Sequence, residues 1–234
     1  MTTPNADWLA ILKDWQTLAS GLLAILAALI GGGFVYYQTR VAKRADRDRL
    51  ARRHAAARST LPLVLSGMME YARHVATGLR RLYLASAGDS VTREAIIEFE
   101  IPPLPSDATR SLSEVIEAAS NEVADVISDL LGQLQVQHIR LRGLRDDAVS
   151  GTPGRRNLPK FELDEYIGDI ADIYARCEAL LGYARRETNT ANAQLSGEAL
   201  RRALFLMGFH EAVFDRVKDA VKRRADRKSA AVNS

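Results

Sequence analysis

Four histidines and one cysteine carry the widest chemical reach in this 234-residue chain: His54, His74, His138, His210 and Cys177. Histidine titrates near neutral pH and ligates metals, so its spacing from carboxylates comes first. None of the four lies three residues after a glutamate, and no His-Glu-x-x-His occurs. The ligand pairs of di-iron bundles and the zinc-protease helix are therefore not encoded. Glu70 and His74 stand one helical turn apart, as do Glu165 and Asp169, with Asp172 following on the same side. Carboxylates at that spacing could hold a divalent cation, which would make residues 162–172 the heart of a metal-dependent enzyme. The same residues also serve as a solvated face and a favourable helix start.

His210 falls three residues after Met207 and four before Phe214, where the seam of the last helix calls for an apolar side chain. It is expected as a buried or boundary histidine that must hydrogen-bond and could sense pH. Cys177 sits in a helical seam between Arg176 and Glu178, with no histidine nearby in sequence. A nucleophilic thiol needs an accessible, electropositive setting and a base, so burial is expected instead of catalysis. A lone cysteine also excludes an intramolecular disulfide and suits a reducing compartment. Gly31-Gly32-Gly33 lies inside an apolar run, and neither a phosphate loop nor a dinucleotide fingerprint follows a strand. No cofactor and no enzymatic activity is expected on these grounds.

The elements that position these residues are organised around Thr17–Tyr37. No charge occurs between Asp14 and Arg40, a run of 25 residues. About 20 apolar residues in a helix cross a hydrocarbon core roughly 30 Å thick, so this run predicts a transmembrane helix over 17–37. Trp8 and Trp15 before it and Tyr36 and Tyr37 at its end match interfacial aromatic belts. Only Lys13 precedes the span, whereas Arg40, Lys43, Arg44, Arg47, Arg49, Arg52, Arg53 and Arg58 follow it. The positive-inside rule then places residues 1–16 outside, as a short interfacial segment, and the rest in the cytoplasm beneath the plasma (inner) membrane. A cleaved signal peptide would carry its basic cluster on the other side. Arginine-rich, alanine-rich usage points to a bacterial source. Ser20, Ala24, Ala28 and Gly32 recur every four residues, a small-residue ridge that would let two spans approach closely. A homodimer or a partner membrane protein is the expected consequence, although Ala and Gly are also common in any membrane helix.

Charge is distributed unevenly. Residues 1–88 carry twelve Lys/Arg against five Asp/Glu, residues 89–175 eight against seventeen, and residues 176–234 twelve against seven. The basic ends suit anionic surfaces. Arg40, Lys43, Arg44, Arg47, Arg52 and Arg53, on a basic juxtamembrane helix over 38–60, are expected to meet anionic lipid at about 1 kcal/mol each. Lys222, Arg223 and Arg224 near the other end are assigned the same role. No aromatic follows Phe214 to stack on bases, which argues against nucleic acid.

Beyond the span, seams of alternating four-three spacing predict helices. Leu61, Leu65, Met68, Ala72, Val75, Leu79 and Leu82 form the first, with Pro62 in its opening turn and Gly88 at its end. Residues 89–97 read as a short helix, Glu98–Ile101 also alternates like a strand, and Pro102, Pro103 and Pro105 impose an extended connector. One long helix is expected from Ser106 or Ser111 to the Gly151–Gly154 breaker, with Ser111 and Glu114 fitting a capping box. Another spans Phe161–Arg186. The last, capped by Ser196, runs to about Arg227, its Ala203–Phe209 segment apolar nearly all round and so expected to lie centrally. The fold class is all-α: one N-terminal transmembrane helix, then a cytoplasmic bundle of about four amphipathic helices over 61–228, then a disordered tail over 229–234. The function that fits is a self-associating interaction or scaffold module on a membrane anchor, with a membrane-coupled signalling relay as the alternative.

Overall fold

The computed structural model describes the backbone of residues 5–86, 88–151, 157–191 and 195–232, and the side chains within them except 5–14, 16–19, 24, 27 and 227–232. The chain divides into two units, Met1–Arg52 and Arg53–Ser234, each considered by itself. The first is helical wherever it is described, and its described side chains are exposed.

Helix α1 covers Asn5–Ala85. Pro62 lies inside it, not at a start. The missing N–H of a proline costs one backbone bond. The turns around it are tied by hydroxyls instead: Ser59 donates to the Ala56 carbonyl at 2.6 Å, Thr60 to Ala57 at 2.9 Å, and Ser66 to Pro62 at 2.8 Å. Its seam from Leu61 to Leu82 is buried throughout, at 0–3% exposure. The heptad spacing is thus consumed within this chain's own core.

Strand β1 (Ser90–Thr92) pairs antiparallel with β2 (Asn157–Pro159), Val91 opposite Leu158. Helix α2 (Arg93–Ile97) follows, then an extended connector through Pro105. The short helix and the connector match expectation. The two three-residue strands were not foreseen, because neither is long enough to show alternation.

Helices α3 (Ser106–Ala118) and α4 (Asn121–Ser150) replace the single long helix expected there. Ala119 and Ser120 are both extended, and Ser120 opens α4 with Glu122 in its first turn. The start signal at Ser120 overrides an apolar periodicity that runs straight through it. Ser111 and Glu114 are interior to α3 and cap nothing.

Helix α5 (Lys160–Ala184) is the centre of the bundle. Fifteen of its 25 residues are buried, and it touches α4, α6, α7 and β2 (α6 and α7 defined below). Its small residues explain this placement: Gly168, Ala171 and Ala175 leave room for neighbouring elements, with Val221 and Arg224 lying against Gly168.

Helix α6 (Gly197–Leu206) begins where expected, its Ala199 N–H donating to Ser196 Oγ at 3.1 Å. It ends ten residues later and does not occupy the centre. Gly208 takes φ +92°, Phe209 N–H reaches the Leu204 carbonyl at 2.9 Å, and Gly208 N–H reaches Phe205 at 3.0 Å. A left-handed glycine after the last turn closes a helix in this way. A short 3-10 turn (Ala212–Phe214) leads into α7 (Asp215–Val232). The helical backbone of α7 extends past Lys228 into the region expected to be a disordered tail. The all-α class holds, with seven α-helices among the described residues.

Candidate functional site

The apolar run comes first. One helix, near the N-terminus, is long and apolar enough to cross a membrane, with mean hydropathy 1.8 over its most apolar stretch and none of that stretch buried. Leu22, Leu23, Ile25, Leu26, Leu29, Ile30, Phe34 and Val35 are all more than half exposed. Ser20, Ala28 and Gly32 of the small-residue ridge are also uncovered, and the Ala24 side chain lies outside the described residues. Arg40, Lys43, Arg44, Arg47, Arg52 and Arg53 are exposed, with Arg52 donating to the Asp48 carbonyl at 3.2 Å.

The acidic helix start is arranged differently from a metal cluster. Asp164 receives Arg216 at 2.9 Å, Asp169 sits between Arg140 of α4 and Arg224 of α7, Glu165 lies 3.7 Å from Arg224, and Asp172 3.9 Å from Arg176. Glu162 is exposed. Among the described residues no group of three His, Cys, Asp or Glu is placed to share a metal ion. The carboxylates dock α4 and α7 onto α5. Arg224 is therefore turned inward, its side chain 23% exposed, while Lys222 and Arg223 beside it face out. Burial pushes the Asp164 carboxyl above its usual range, with Arg216 pulling the other way.

Arginines from distant segments also close three helix ends, where the last carbonyls lack intrahelical partners. Arg58 donates to Tyr183 and Thr188 carbonyls at 2.8 and 2.6 Å after α5, and its guanidinium lies 4.1 Å from the Tyr183 ring centroid. Arg93 donates to Ala148 and Val149 at 2.6 and 3.3 Å at the end of α4. Arg80 reaches Gly208 at 3.5 Å after α6. A cation at a helix C-terminus also complements the dipole. In sequence, Arg185 and Arg186 directly follow α5, where cations would complement its dipole. Instead Arg186 occupies the left-handed position at φ 66° and reaches back to the Ala55 carbonyl at 3.4 Å.

The histidines separate. His54 Nε2 is 2.7 Å from Tyr183 Oη. His138 Nδ1 is 2.9 Å from Tyr71 Oη. Burial pushes the Tyr71 phenol up to about 12 and the His138 imidazole down, and the two share a hydrogen bond whose direction is set by the imidazole tautomer. His210 is exposed, against expectation, because the turn at Gly208 ends the helix whose register would have buried it. Cys177 is fully buried as expected, and burial pushes its thiol up to about 12. That setting opposes thiolate chemistry.

A cleft of about 850 Å³ opens between α1, the 98–105 connector and α4. Sequence reasoning missed it, because its walls come from three separate segments, with Arg145 of α4 more than 40 residues from the other two. Gly78 was the available signal. A Cβ there would overlap the Phe99 ring, which fills the gap and pins the connector to α1. Thr77, Pro102 and Pro103 line the cleft, and His74, Arg81, Glu98, Glu100 and Arg145 bring charge to it. Searches of protein-family models, curated proteins and solved structures find no match to this chain.

Proposed function

We propose that this chain is a single-pass membrane protein whose helical domain acts as an interaction module, held at the cytoplasmic face of the inner membrane. The observation that carries this reading is the apolar stretch of α1 with none of its described side chains covered. Leaving a run of leucine and isoleucine in water costs about 25 cal/mol per Å², so it needs a bilayer. The exposed basic residues from Arg40 to Arg53 support the orientation and anionic-lipid contact. Lys222 and Arg223 remain candidates for a second lipid contact, and Arg224 does not, being committed to Asp169.

Interaction rather than catalysis is supported by what the reactive side chains already do. The α5 carboxylates bind arginines, two histidines bind phenols, and the cysteine is sealed. Isolated apolar side chains remain outside, including Leu63, Ile139 and Phe205 at 79%, 68% and 65% exposure. A photoactivatable cross-linker placed at Ile139 or Phe205 of the full chain in native membranes tests this. One reproducible protein adduct, this chain or another, is expected. Adducts to lipid and water alone would refute an interaction role.

A signalling relay is the second reading, favoured by helical backbone through all of residues 18–58 in α1. Arg58 would be its contact point with the bundle. Arg58→Ala would then alter signalling output at unchanged membrane insertion, and an unaltered output would remove it.

A further inference from the structure

The cleft beside the connector gathers charges of both signs. Its five ionisable groups come from three elements: His74 and Arg81 from α1, Glu98 and Glu100 from the connector, and Arg145 from α4. Among the described residues none of the five side chains makes a hydrogen bond or an ion pair. Arg140, Arg202, Arg216 and Arg224 all close on nearby carboxylates. At the cleft both signs are present and stay apart.

The backbone explains the separation. Phe99 is buried in the gap left by Gly78, so Glu98 and Glu100 flank a fixed point and remain exposed. Pro102 and Pro103 stiffen the wall beyond. A volume of about 850 Å³ also lies within the range of small-molecule sites.

We propose that this cleft binds a small dipolar ligand, one carrying a carboxylate and an ammonium group, such as a free amino acid or a short peptide. Guanidinium forks recognise a carboxylate through paired hydrogen bonds, which assigns the acid end to Arg81 and Arg145. Glu98 and Glu100 then receive the ammonium. His74, one face with Arg81 on α1, offers a further hydrogen bond to the acid end. Selectivity follows from the repulsive half of the arrangement. A purely anionic ligand meets two glutamates, and a purely cationic one meets two arginines. Only a molecule with both charges satisfies both walls.

This inference is independent of the membrane reading, and its test does not require a bilayer. The full chain in detergent micelles is titrated calorimetrically with the free amino acids and a set of dipeptides. Acetate, propylamine and inorganic phosphate serve as single-charge probes. The double variants Arg81→Gln/Arg145→Gln and Glu98→Gln/Glu100→Gln remove only exposed, unpaired charges, so their folding is expected to match the parent. The expected result is that at least one dipolar probe binds, each double variant weakens it by about tenfold or more, and the single-charge probes bind at least as weakly. No binding by any dipolar probe at millimolar concentration overturns the proposal. So does binding that survives either double variant, or phosphate binding as tight as the best dipolar probe and indifferent to the glutamate pair.

Discussion

On α5, Asp164, Asp169 and Asp172 each meet an arginine, whereas Arg81, Arg145, Glu98 and Glu100 line one cleft without pairing. Both regions are built from the same side-chain types, so composition cannot distinguish them. Burial does. The α5 aspartates have side chains only 4–17% exposed, and an unpaired carboxylate there would lose its hydration with nothing in return. The cleft charges are open to water, which solvates them adequately and leaves them available. Charge on the buried α5 strip is structural, and charge at the open cleft is uncommitted.

The contrast can be tested from the strongest effect downward. Asp169→Ala strands Arg140 and Arg224 together, and is expected to destabilise the chain by about 3 kcal/mol in chemical denaturation. A loss below about 0.5 kcal/mol would place the α5 strip in the same class as the cleft. Gly78→Ala pushes the Phe99 ring off α1, with an expected cost of about 2 kcal/mol and a rise in proteolysis at the connector. Normal stability in that variant would mean that the connector is not pinned there.

A pH effect follows from Asp164, whose folded carboxyl is held above its unfolded value by burial. The folded state then keeps its proton longer than the unfolded state does. Stability is expected to fall as pH rises from about 3.8 through the raised folded value, and to level off above it. Asp164→Asn should flatten that fall, as read by melting temperature against pH. Smallest of all, Glu98→Gln/Glu100→Gln should move stability by no more than about 0.5 kcal/mol.

The seams were readable because they are local and periodic. The Leu61–Leu82 seam and a second of the same spacing, Leu163, Ile167, Ile170, Tyr174, Cys177, Leu181 and Ala184, are buried apart from the partly buried Leu181. Helix ends were less readable. Ser196 declared itself as a cap, yet Gly208 closes α6 inside a stretch whose apolar content favours continuing, and Ser120 restarts a helix amid unbroken periodicity. Both depend on one residue's backbone geometry, which a pattern over many residues averages away. The partners of the arginines were not readable at all. Arg58 and Tyr183 are 125 positions apart, and a long flexible side chain carries no record of which carbonyl it meets. The cleft shared that limit, since Gly78 signals only that something comes close.

Everything proposed about where the chain works depends on the uncovered stretch from Leu22 to Val35. Alkaline carbonate extraction of native membranes, with protease applied from the outside before lysis, measures this most directly. The expected result is that the full chain stays in the membrane pellet and its 53–234 region resists outside protease. A Leu22→Arg/Leu26→Arg/Leu29→Arg variant should be released. A parent chain that washes into the supernatant, or is digested from outside, would contradict the membrane-anchored interaction module.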